Sequence, residues 1–75
     1  METTGSVTLH ACVLQVNCCE LLVRDLDTDQ EVLVHSPKAR CFSAGDHVCI
    51  TYDGIMTRSI PPQINADSIC RLHRC

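Results

Sequence analysis

The chain has 75 residues, a formal net charge of −3, 45% hydrophobic residues and a mean hydropathy of +0.08. That length holds one domain around one core, burying about 60% of the surface its unfolded chain exposes, and that hydropathy excludes a disordered tail. The acidic balance and an aromatic content of only Phe42 and Tyr52 argue against a nucleic-acid binder, which needs a basic face and stacking platforms.

In chain order, Met1 to Ser6 reads as a flexible lead, and residues 7–75 as the single domain. METTGSVTLH has neither the basic nor the apolar region of a signal peptide, so the expected location is cytoplasmic. An extracytoplasmic location stays open if an export signal precedes these residues. No apolar run approaches the length of a transmembrane helix. Val7 to Asn17 predicts a long first strand. Its alternation breaks at Ala11 to Leu14, the phase shift by which one strand serves two sheet surfaces. Asn17-Cys18-Cys19 predicts a turn.

Glu20 to Asp27 predicts a second strand, with Leu21 and Val23 on one face and Leu22, Arg24 and Leu26 on the other. Asp27-Thr28-Asp29-Gln30 is a polar hairpin loop, and Glu31 to His35 a third strand with Val32 and Val34 inward. Ser36 to Gly45 carries helix punctuation: Ser36 as N-cap, Pro37 at the first helical position, and Gly45 as the left-handed C-terminal cap. The segment predicts a short α or 3-10 piece anchored by Phe42.

Asp46 to Asp53 predicts a fourth strand with Val48, Ile50 and Tyr52 inward, followed by the Asp53-Gly54 turn. Ile55, Met56, Ile60 and Ile64 then surround Pro61-Pro62, a pair that cannot sit in a central strand, so this stretch reads as an ordered loop. Ala66 to Leu72 predicts a fifth strand, with His73-Arg74-Cys75 fraying. Five short strands with a small helix between the third and fourth is the element order of an OB-like barrel. An SH3-like barrel is the alternative.

Cys12, Cys18, Cys19, Cys41, Cys49, Cys70 and Cys75 make an odd count without a secretion signal. They are expected to be reduced thiols serving as small hydrophobes; export would instead allow an even subset to bridge. The vicinal Cys18-Cys19 pair offers two sulfurs at most, pointing opposite ways. Cys70-x-x-His73-x-Cys75, with His10 and Cys12 as possible additions, has ligand types but no Cys-x-x-Cys knuckle. His10, His35, His47 and His73 are expected at solvated outward positions. Asp25, Asp27 and Asp29 lack the Gly and Glu of a calcium loop. No phosphate loop, nucleophile triad or paired-carboxylate motif is present, so no cofactor, no metal and no enzymatic activity are expected.

Gly45-Asp46-x-Val48-x-Ile50-x-Tyr52-Asp53-Gly54, followed by Ser59-x-Pro61-x-Gln63 and Ala66-x-x-Ile69, resembles the C-terminal half of the YobA-like family. These are small, uncharacterised proteins, mostly of Gram-positive bacteria, and Leu22-Val23 and Val32-Leu33-Val34 upstream are compatible with them. The resemblance implies an OB-like barrel of unknown function and carries over no catalytic residue. Many such relatives are exported or lipid-anchored, whereas this sequence shows no lipobox.

The expected role is a small binding or interaction module with an unidentified protein or small-molecule partner. Ile55, Met56, Arg58 and Ile60 form the candidate partner-contact loop, set against the plainer reading that they close the hydrophobic end of the barrel. A thiol-dependent metal or redox protein and a single-stranded nucleic-acid-binding OB fold are the alternatives.

Overall fold

Strands in this protein form where β-branched and aliphatic residues alternate with polar ones, and turns fall where Asn, Asp and Gly interrupt that alternation. A computed structural model describes residues 7–74. It contains β1 (Val7–Val16), β2 (Glu20–Asp25), β3 (Glu31–His35), β4 (Asp46–Tyr52) and β5 (Gln63–Arg74), with a 3-10 turn at Ala39–Cys41 between β3 and β4. The five strands close into a ring in the order β1-β2-β3-β5-β4, which leaves each strand a neighbour on both sides. The proposed lead, Met1 to Ser6, and Cys75 lie outside the described residues.

β1 closes the ring by serving two partners. Val7 to Cys12 pairs with β4, and Ala11 to Val16 with β2, both antiparallel. Its register slips between Val13 and Gln15, so Leu14 is the extra residue at the expected phase shift. β2 and β3 form an antiparallel hairpin. β5 inserts between β3 and β4, parallel to β3 over Gln63 to Asn65 and antiparallel to β4 over nearly its whole length.

The inward residues pack as one cluster inside the ring: Leu9, Ala11 and Val13; Leu21 and Val23; Val32 and Val34; Val48, Ile50 and Tyr52; and Ile64 and Ala39. Each large aliphatic side chain buried there contributes roughly 1.5–3 kcal/mol relative to exposure. Val16, Phe42, Met56, Ala66 and Ile69 are half-buried and pack against this cluster from outside it.

Several expectations need correction. β1, β2 and β4 end at Val16, Asp25 and Tyr52, each before the predicted last residue. β5 begins at Gln63 rather than Ala66, because the chain leaves Pro62 already paired: the Leu33 amide donates to the Pro62 carbonyl at 2.9 Å. Ile64 therefore belongs to the core and not to the loop, and His73 and Arg74 continue the ladder instead of fraying.

The 3-10 turn has Lys38, not Ser36, at its N-cap. Ser36 forms its own turn, its Oγ accepting from the Lys38 amide at 3.1 Å. Ala39 is the fully buried residue of the turn, with Phe42 half-buried beyond it. Gly45, at φ +94°, does not cap a helix; it shapes the turn into β4, its amide donating to the Val13 carbonyl at 2.8 Å.

Among the described residues, the cysteines are not part of the core. Cys12 and Cys49 are half-buried, and Cys18, Cys19, Cys41 and Cys70 are exposed, all as free thiols. The physical reason is strand alternation: Cys12, Cys49 and Cys70 fall on the outward phase of strands whose inward phase is already filled by valine and isoleucine.

Candidate functional site

The β4–β5 connection, residues 53–62, is tied to itself by a directed chain of hydrogen bonds. The Gln63 amide donates to Thr57 Oγ1 at 2.9 Å, and the Thr57 amide donates back to the Gln63 carbonyl at 3.0 Å. Ser59 Oγ donates to the Pro61 carbonyl at 3.0 Å. A hydroxyl has one proton, so in the 2.6 Å contact between Thr57 Oγ1 and Ser59 Oγ the threonine is the donor. Asp53 Oδ1 accepts from the Ile55 amide at 2.9 Å at the start of the loop. These bonds give the Ser59-x-Pro61-x-Gln63 pattern a physical reason.

Within that frame the candidate contact residues separate. Met56 packs against the core. Ile55 is 70% exposed and Ile60 99% exposed, and Arg58 also faces solvent. Ile60 is the most exposed of the large hydrophobic residues described, ahead of Ile55, Leu26, Leu72 and Val7.

The opposite wall is the β2–β3 hairpin loop. The Asp25 amide donates to the Gln30 carbonyl at 2.8 Å, and buried Asp25 accepts the Asp27 amide on Oδ1 at 2.8 Å. Asp29 takes φ 62° and pairs with Arg24 at 3.6 Å. Asp29, Gln30 and Glu31 face Ser59, Ile60, Pro61 and Pro62 across an open cleft of about 350 Å³. Two loops far apart in sequence thus share one surface, with one acidic wall and one apolar wall. A smaller cleft of about 200 Å³ lies between Ser36 to Lys38 and Ala66 to Ile69.

His35 stands where β2, β3 and β5 meet. Its Nε2 lies 2.8 Å from Gln63 Oε1, and its Nδ1 lies 3.4 Å from Glu20 Oε2. It is half-buried between two partners rather than solvated, because the parallel β3–β5 register brings Gln63 beside it. His10 is exposed and meets His47 edge-on, with ring centroids 6.4 Å apart. Among the described residues, no three His, Cys, Asp or Glu side chains are grouped to hold a metal ion, and no helix is long and apolar enough to cross a membrane.

Cys18 and Cys19 occupy the exposed β1–β2 turn closed by the Asn17 amide to the Glu20 carbonyl at 2.8 Å. The Cys19 thiol is held above its ordinary pKa, first by its hydrogen bond with Cys18 and then by the charge Cys18 acquires on ionising.

Sequence reasoning missed Asp46. Only 1% exposed, it accepts the Ser43 amide at 2.9 Å and the Arg71 Nε–H at 3.0 Å on the same oxygen. A Gly-Asp turn entering a strand was the available signal, although nothing in the sequence paired it with Arg71. Comparison with known protein families, with curated proteins and with solved structures finds no match for this chain.

Proposed function

We propose that this chain is an OB-type barrel of the YobA-like kind and serves as a small, non-enzymatic, cytoplasmic binding module. The fold reading is supported by β5 inserted between β3 and β4, a Greek-key course and not the simple meander that the SH3-like alternative favours. The binding reading rests on one observation: the cleft between Asp29 to Glu31 and Ser59 to Pro62, with Ile60 held in solvent at its lip. OB-type barrels recognise ligands on the β2–β3 face and on the β1–β2 and β4–β5 loops, and this cleft adjoins that face. Ile55, Arg58 and Ile60 would make the contact, and Met56 would anchor the loop that presents them.

The test is selection of random displayed peptides against the isotopically labelled domain, with amide shifts read by NMR. Binders should move the Asp29 to Glu31 and Ser59 to Ile60 amides, and Ile60→Asp should weaken them at least tenfold. Oligothymidine should move nothing, given the charge and the aromatic content. A selection without binders, or binders indifferent to Ile60→Asp, overturns the reading.

A second reading, a thiol-dependent metal or redox protein, draws support from the outward position of the free thiols. Native mass spectrometry tests it: a metal adduct lost on chelation favours it, and a bare chain opposes the metal form.

A further inference from the structure

On the outer face of the ring, Cys49 of β4 and Cys70 of β5 are direct register partners. They sit within the regular ladder from Val48 to Thr51, which is bounded on each side by a register shift. Directly opposed residues of an antiparallel pair stand about 4.5 or 5.5 Å apart at Cα, inside the roughly 4.4–6.8 Å that a disulfide spans. Both side chains take the outward phase, Cys49 half-buried and Cys70 exposed, so a small oxidant reaches them without opening the core.

Cys12 lies on the same outer face but is a diagonal neighbour of Cys49, since His10 is the residue directly opposite it. Diagonal pairs stand about 7–8 Å apart, beyond disulfide reach. Register therefore selects one pair on this face.

We propose that Cys49 and Cys70 form a reversible cross-strand disulfide when the folded protein meets a low-molecular-weight disulfide such as oxidised glutathione. One protein thiolate attacks a glutathione sulfur and expels glutathione thiolate, leaving a mixed disulfide. The second protein thiolate then attacks the protein sulfur of that bond and expels the second glutathione. Two protein thiols are oxidised, one glutathione disulfide is reduced to two thiols, and the two thiol protons end on glutathione. The bond would covalently close residues 50–69, the segment that carries the β4–β5 loop, and it does not depend on what that loop binds.

The test treats the folded chain with oxidised glutathione, traps remaining thiols by alkylation, and maps tryptic peptides without reduction. Peptides 41–58 and 59–71 should appear linked. The link should persist in Cys41→Ser and vanish in Cys49→Ser, and the oxidised chain should melt roughly 10 °C higher than the reduced one. Glutathione adducts on Cys49 and Cys70 without a link, or a link lost in Cys41→Ser, overturn the proposal.

Discussion

Arg71, opposite Val48 in the β4–β5 register, reaches the buried carboxylate of Asp46 on β4, with 3.0 Å between Nε and Oδ2. The same guanidinium donates through Nη2 to the Cys41 carbonyl at 2.6 Å and lies 5.6 Å from the Phe42 ring centroid. One side chain thus fastens β5 to the 3-10 turn and to the start of β4. Asp46 is buried and Arg71 is about half exposed. Removing the arginine takes the counter-ion from a carboxylate in the interior, whereas removing the carboxylate leaves a guanidinium that water can solvate, so the arginine deletion should cost more. Arg71→Ala is expected to lose about 3 kcal/mol and Asp46→Ala about 1–2 kcal/mol, read by urea unfolding of both variants.

Thr57 and Gln63 exchange two hydrogen bonds that close the β4–β5 loop. Thr57→Val keeps the shape and removes the hydroxyl that both accepts and donates there. It should cost about 1 kcal/mol. Amide hydrogen exchange should quicken at Gln63 while the Ile50 amide is unchanged.

Ile60 and Met56 lie four residues apart and should respond in opposite ways to the same substitution. Ile60→Asp removes no packing and should change stability by less than about 0.5 kcal/mol. Met56→Asp places a charge against the core and should cost about 2–4 kcal/mol. Thermal melts of the two variants check this, and they identify Ile60→Asp as the clean probe of the contact surface.

At Gly45 a Cβ would meet no atom within 4 Å, so the cost of adding one is purely conformational. With φ at +94°, Gly45→Ala should lose about 1–2 kcal/mol, and Gly45→Asn less than that. Denaturant midpoints at unchanged slope would verify the pair.

Cys19 should be alkylated more slowly than an ordinary exposed cysteine at mildly alkaline pH. Its pKa is raised by Cys18, so less of it is thiolate at any pH below that value. Cys18→Ala removes both the hydrogen bond and the neighbouring charge. The pH–rate profile for alkylation of Cys19, followed by mass spectrometry, should then move to lower pH.

The local pattern of this chain determined its strands well. Val32 and Val34, Leu21 and Val23, and Val48 with Ile50 and Tyr52 alternate at a period of two, and in each case the expected face is the buried one. The 3-10 turn, the hairpin loop and the break in β1 were legible because Pro, Asp and a phase shift act within a few residues. The candidate loop was legible too, as apolar residues around a proline pair.

Tertiary structure alone decided which of those residues face outward. Ile60 and Met56 look alike in sequence, but in the folded loop one stands in solvent and the other packs half-buried against the core. The cleft joins residues some 30 positions apart because β5 returns beside β3, as does the contact of His35 with Gln63 at a separation of 28. Asp46 with Arg71, and Cys49 with Cys70, likewise depend on the β4–β5 register. Alternation along one strand says which face a side chain takes, but only pairing between strands says what stands opposite it.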